Sequence, residues 1–237
     1  MSENLSHIIS KLYSKNTNPK LGLDRVLNLI KLLGFKRENF LVIQVVGTNG
    51  KGSTVAFLQS LLLKNGFSTG LFTSPHLSSV RERIAVNGHM VSEEEFIEAA
   101  KKVLDLAKNL SDEPSFFECI LAMALLIFQK NSIDVIILEA GLGGRLDATT
   151  AVNADILGIS TIDLDHQQIL GETIEKIAYE KAHAAHGGQT VVSVAQKAEA
   201  LLSIRKAQKE MGFNLVLAKS IVYFSSSNFS LLAFTEA

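Results

Sequence analysis

Residues 41–54 read LVIQVVGTNGKGST, a short run rich in β-branched residues followed by a glycine-rich turn. A run this short, apolar and bounded by glycine predicts a strand buried on both faces. The residues from 51 to 65 then read as a helix. Strand, glycine loop and helix in that order form a natural cradle for phosphate. Glycine lets the backbone wrap closely around an anion, and the amides at a helix start point at it. The candidate loop comprises Gly47, Thr48, Asn49, Gly50, Lys51, Gly52 and Ser53. Lys51 would offset β- and γ-phosphate charge, and the hydroxyl of Ser53 or Thr54 would face Mg2+. The strict pattern GxxxxGK[ST] is not met, because Gly52 follows Lys51. The bland alternative is a glycine-rich turn carrying an exposed lysine.

Outward from this unit, residues 67–73 read as the next strand, completing a β–α–β unit. Upstream, residues 5–13 and 23–33 repeat their apolar positions at helical spacing. Downstream, Asn87-Gly88 predicts a tight turn in a small hairpin over residues 81–91. Ser92 with Glu95 and Ser115 with Glu118 each match a capping box, so a helix should start at each serine. Further buried strands are expected at 133–138, 155–160 and 190–194, with helices at 172–185 and 195–211. This alternation predicts an α/β fold with a mostly parallel, doubly wound sheet. Residues 213–237 contain two or three strand candidates and a turn at 225–228.

The 237 residues are 47% hydrophobic and 20% charged with three prolines, a globular composition. A net charge of −1 gives no electrostatic footprint for nucleic acid. Cys119 is the only cysteine, which rules out an internal disulfide and a cysteine-based metal cluster. The N-terminus lacks the apolar core of a signal peptide, and the longest apolar run, residues 120–128, is too short for a bilayer. The expectation is a cytoplasmic protein with no membrane and no nucleic acid among its partners.

Three more segments carry candidate chemistry. LEAGLGGRLDATT, residues 138–150, closes a buried strand, where ligands of open α/β sheets sit. Glu139 there is costly to bury unless it faces a cation or a donor. Asp147 reads equally as turn former or ligand, and Arg145 as carboxylate clamp or solvated side chain. DLDHQQILGETIEKIAYEKA, residues 163–182, places His166 at another strand end. It is either structural or a ligand, since Mg2+ prefers oxygen. Lys181 sits on a predicted helix, where an exposed lysine is the commoner case. TSPHLSSVRERI, residues 73–84, is a loop long enough to close over a substrate. Ser74 in it is a ligand or a turn residue. Arg81 and Arg83 either meet an acidic substrate or form a solvated pair with Glu82.

Taken in order, LGLDRV (residues 21–26), GTNGKGST, TSPHL, RERIAVNG, SFFE, EAGLGGRLDAT and LDHQQILGETIEKIAYEKA resemble the folylpolyglutamate synthase/dihydrofolate synthase family, a branch of the Mur-type ligases. The resemblance covers roughly residues 20–200. It implies a Mur-ligase-type central domain that binds ATP and Mg2+. It further implies ligation of L-glutamate to a pteroate or folate substrate through an acyl phosphate. Thr48 to Ser53 would hold the triphosphate. Ser74, Glu139 and His166 match the family's magnesium positions, assisted by Ser53. Lys181 matches a lysine the family carboxylates. Ser115, Phe116, Phe117 and Glu118, together with Leu146, Asp147 and Ala148, match segments that contact the pterin.

This sequence departs from the family pattern at Thr150, where asparagine is usual, and at HAAHGG (residues 183–188), where family members read like GIIKPG. The resemblance also implies one ATP-binding domain over residues 1–237, incomplete at its C-terminal end, with the family's C-terminal domain absent. The expectation is therefore that this chain alone does not ligate at a useful rate and works with a complementary C-terminal polypeptide. The alternative is a non-catalytic nucleotide- or folate-binding remnant.

Overall fold

The computed structural model describes residues 4–15, 22–224 and 229–234. Its eight helices, in chain order, are α1 (Leu5–Tyr13), α2 (Asp24–Leu33), α3 (Lys51–Lys64), α4 (Glu93–Ala107), α5 (Phe116–Lys130), α6 (Gln167–Leu170), α7 (Ile174–Ala182) and α8 (Ala198–Met211) among the described residues. The strands are β1 (Leu41–Val46), β2 (Thr69–Phe72), β3 (Ile84–Val86), β4 (His89–Met90), β5 (Val135–Glu139), β6 (Ile156–Ile159), β7 (Thr190–Ser193), β8 (Asn214–Leu217), β9 (Lys219–Phe224) and β10 (Phe229–Phe234). β9 and β10 pair antiparallel as a separate sheet. The predicted turn at 225–228 and Leu21 of the LGLDRV string lie outside the described residues.

The main sheet runs β4-β3-β2-β5-β1-β6-β7-β8. Every pairing from β2 to β8 is parallel, and only β3 and β4 add antiparallel strands at one edge. The predicted mostly parallel sheet is what forms. Side chains alternate between its faces. Val42, Ile136 and Leu138 pack with α1, α2, α4 and α5, while Leu157, Ile159 and Val191 pack with α7 and α8. Ile43, Val45 and Ile137 pack on the opposite face against Val55 of α3. Because β1, β2, β5 and β6 are parallel, the segments that follow them emerge at one edge of the sheet.

Local chemistry sets most of the boundaries. Ser92 and Ser115 cap α4 and α5 in full capping boxes, as their spacing predicts. Asn87 and Gly88 both take positive φ, 50° and 80°, which a tight hairpin turn demands. The hairpin is shorter than the predicted 81–91. Val80–Arg83 coils into a 3-10 turn because Ser79 and Glu82 form a third capping box ahead of β3. The helix expected at 172–185 starts later, at Ile174, where the Thr173 side chain accepts from the Lys176 amide.

Candidate nucleotide and metal site

Four segments leave the common strand edge and meet. The 47–53 loop follows β1, and its amides at Thr48 and Asn49 donate to the Thr161 carbonyl at 2.9 and 3.1 Å, tying it to the chain beyond β6. The Thr48 hydroxyl donates to the Asp163 carbonyl at 2.9 Å. Gly47 has φ 149°, and a Cβ there would lie 1.9 Å from Ser160 Oγ, so the loop's first residue must be glycine. Gly50, at φ 81°, turns the chain into α3.

Two ammonium groups converge on this loop. Lys51 Nζ donates to the Gly47 and Thr48 carbonyls at 3.1 and 3.2 Å. Lys181 Nζ, on α7, donates to the same Gly47 carbonyl at 2.8 Å. Lys181 is only 4% exposed, so the exposed-surface reading of it is corrected. Burial first, and the nearby Lys51 charge second, push its pKa down to about 8, with Asp165 and Asp147 opposing. Two cations around a loop of backbone amides form a strong receptor for an anion.

Glu139 ends β5 and is 4% exposed. Its Oε2 accepts from the Ser74 amide at 3.0 Å and from the Thr73 hydroxyl, which joins the TSPH loop to the sheet edge. A Cβ on Gly52 would stand 3.5 Å from Glu139 Oε1, so this carboxylate faces the first turn of α3. Ser74, Glu139 and the start of α3, which carries Ser53, are thus brought together. His166 caps the short α6 with φ 46°, is exposed, and has its ring 3.5 Å from its neighbour Asp165. Among the described residues, no group of three or more His, Cys, Asp and Glu side chains stands in metal-holding geometry. The oxygen donors present nevertheless suit a hard cation. The Asp165 charge is felt by Lys181, which puts that aspartate near the same lysine pair.

The SFFE and LDA segments adjoin this edge. Ser115 and Glu118 cap α5, and the buried Glu118 also meets Arg25 at 3.3 Å. Phe116 is buried, with Tyr13 stacked on it at 4.8 Å and the Arg83 guanidinium 5.3 Å from its ring centre. Phe117 is half-buried beside Gly141, where a Cβ would come within 2.8 Å of its ring. Leu146 is half-buried, and Ala148 opens the 3-10 turn Ala148–Val152. Asp147 is buried and accepts from the Gly141, Leu142 and Thr149 amides at 2.9, 2.8 and 3.0 Å. Burial pushes its pKa up against the pull of those bonds. Its carboxylate therefore builds the loop.

The arginines divide by role. Arg81 donates to the Val91 carbonyl, and Glu82 accepts from the amides of Leu77, Ser78 and Ser79, so neither forms the solvated pair with the other. Arg83 donates to His76 Nδ1 at 2.8 Å and lies near Glu139 and Tyr13. With Nδ1 accepting, His76 carries its proton on Nε2, 3.2 Å from the Tyr13 hydroxyl. Burial and the Arg83 charge lower the His76 pKa. Arg145 forks onto Glu180 at 2.9 and 3.2 Å, fastening the glycine loop to α7. Thr150, in place of asparagine, donates to the Gly144 carbonyl and accepts from Gln44, both near 2.8 Å.

A parallel sheet with a glycine-rich loop after β1 and a carboxylate at the end of β5 makes this an α/β domain with a candidate nucleotide site at the strand edge. No family model matches the chain. Among curated proteins it is 40% identical over 191 residues to the dihydrofolate synthase/folylpolyglutamate synthase of Bacillus subtilis, covering 78% of this chain and 44% of that protein. Among solved structures it matches E. coli FolC in complex with DHPP and ADP, with a TM-score of 0.86 and 29% identity. That match covers 98% of this chain and 56% of the other. The bifunctional folylpolyglutamate synthase/dihydrofolate synthase from Yersinia pestis, complexed with AMPPNP and Mn ion, matches with a TM-score of 0.83 and 33% identity over 92% of this chain and 54% of that one. The chain belongs to the folylpolyglutamate synthase/dihydrofolate synthase family. It spans about half the length of these relatives. Among the described residues, no helix is long and apolar enough to cross a membrane.

Proposed function

We propose that this chain carries the ATP- and Mg2+-handling part of a ligase that joins L-glutamate to dihydropteroate or to a folate glutamyl tail. The observation that carries the reading is the convergence of Lys51 and Lys181 on the Gly47 carbonyl, at the edge where Glu139 also sits. In this reading the 47–53 amides and Lys51 hold the triphosphate and offset its charge. Glu139, Ser74, Ser53 and His166 would hold Mg2+, which when bound supplies positive charge against the phosphates. Phe117 and the 146–148 segment line the pterin side. Substrate held there presents its carboxylate to the γ-phosphoryl group, and the amine of glutamate then attacks the acyl phosphate, releasing phosphate. Lys181 is suited to carboxylation: its depressed pKa keeps a neutral amine fraction, which adds CO2 to give a carbamate and a proton.

The relatives are about twice as long, and we assign the rest of the site to the region of those relatives that this chain does not match. Closure over the acyl phosphate excludes water and fixes the attacking amine. The test is ATP-dependent glutamylation of dihydropteroate or tetrahydrofolate by this chain, alone and with the remaining part of the B. subtilis relative added. Product with ADP in equal amount is expected only with the addition, and not with Lys51→Ala. Product that survives Lys51→Ala, or none in any mixture, overturns the reading.

A further inference from the structure

Four side chains from α1, α5 and the TSPH loop close a ring of contacts near Glu139. Tyr13 stacks on Phe116 with ring centroids 4.8 Å apart. The Arg83 guanidinium stands 5.3 Å from the centre of the same Phe116 ring. Arg83 Nε donates to His76 Nδ1 at 2.8 Å, and His76 Nε2 returns to the Tyr13 hydroxyl at 3.2 Å. A guanidinium held both by an aromatic ring and through its Nε has few orientations left. Its two terminal nitrogens nevertheless have no protein partner among the described residues, and both reach solvent. Glu139 is near enough to act on Arg83 electrostatically, but it takes its hydrogen bonds from the Thr73 hydroxyl and the Ser74 amide. Arg37, Arg81 and Arg145, by contrast, each direct a terminal nitrogen onto a carbonyl or a carboxylate.

Fixing a long side chain costs conformational entropy, and here the fold bears that cost for donors no protein group uses. Coplanar N–H donors aimed in one direction suit a planar carboxylate, which takes two of them at once. Lys51 and Lys181, gathered on the Gly47 carbonyl, are point charges without that directionality. We infer that Arg83 binds a carboxylate beside Glu139 and Phe116, and that His76, braced by Tyr13, is the positioning residue that aims its fork. On the ligase reading above, that carboxylate is the one presented to the γ-phosphoryl group. This last identification rests on that reading, whereas the anion site rests on the ring of contacts alone.

The probe is acetate, with acetamide as its uncharged counterpart, titrated at constant ionic strength into the full 15N-labelled chain. The Arg83 Nε–H resonance and the backbone amides of residues 73–83 report occupancy. Acetate should shift them saturably and bind at least about tenfold tighter than acetamide. Arg83→Lys, which keeps the charge and loses the fork, should weaken acetate binding about tenfold. His76→Leu removes the acceptor that holds Arg83 Nε and should weaken it about fivefold, whereas His76→Asn, whose Oδ1 can accept where Nδ1 does, should restore most of the loss. If His76→Leu does not fold, Tyr13→Phe takes its place: it keeps the ring stack, drops only the hydroxyl, and should weaken binding at least about twofold. No saturable shift, equal binding by acetamide, or full binding by Arg83→Lys overturns the carboxylate site. Full binding by His76→Leu or its substitute, or loss that His76→Asn does not restore, overturns the positioning role. Mg·AMPPNP titrated into the same samples keeps the two readings apart. Acetate binding without nucleotide binding sinks the ligase reading alone, and the reverse sinks the carboxylate site alone.

Discussion

Lys181→Met should stabilise the fold. The lysine is buried, and its pKa falls from 10.5 to about 8 because burial and Lys51 both oppose its charge. At 1.36 kcal/mol per tenfold change, that fall corresponds to about 3 kcal/mol spent keeping the ammonium charged at pH 7. Methionine fills a similar volume without charge. Losing the bond to the Gly47 carbonyl takes back about 1 kcal/mol. The net gain is then about 2 kcal/mol, or about 4–8 °C in Tm for a domain of this size. The pH dependence carries a definite sign. The folded pKa lies below the unfolded one, so the folded lysine loses its proton first and wild-type stability rises from about pH 8 to pH 10.5. The stability gap between variant and wild type should therefore close over that interval. Thermal unfolding in CO2-free buffer across pH 7–10.5 measures it. A lowered Tm, or a gap that ignores pH, would refute the reasoning.

Three further outcomes follow from the packing. The Cys119 thiol, whose pKa burial pushes up to about 12, should resist a thiol-labelling disulfide reagent at pH 8 until the chain is unfolded. Fast labelling of the native protein would contradict that. Arg25→Met leaves the buried Glu118 carboxylate its bond from the Ser115 amide but no facing cation, and should cost about 3 kcal/mol in urea unfolding, whereas a solvated pair would cost less than 1. Gly144→Ala should cost about 1–3 kcal/mol, because its Cβ would stand 2.7 Å from the Lys181 carbonyl, backbone that has little freedom to yield. An unchanged Tm would show that α7 moves away freely.

The sheet was largely legible in the sequence because each parallel strand is a short apolar run closed by glycine or a polar turn. Glu139 and the 47–53 loop were legible for the same reason: each follows such a run. Contacts between distant segments were not legible. Nothing in the spacing of Lys51 and Lys181 places both on the Gly47 carbonyl, since that meeting depends on how α7 packs beside β1. Nor does the sequence separate Arg81 from Arg83, two residues apart, of which only the second reaches His76 and the neighbourhood of Glu139. The Ser79–Glu82 cap carried a signal that the hairpin pattern masked, for S-x-x-E stands there as plainly as at Ser92. Asp165 stands next to His166 in the chain, and only the fold brings its charge near Lys181.

In the function proposed above, the 47–53 loop and Glu139 together form a Mg2+-dependent nucleotide site. Calorimetric titration of AMPPNP into the chain, with and without Mg2+, tests it most directly when run beside Glu139→Gln. Mg2+ should tighten binding to wild type by at least about tenfold, the effect of placing a cation between carboxylate and phosphates, and should have little effect on the variant. Equal affinities for both proteins, with and without Mg2+, would contradict it.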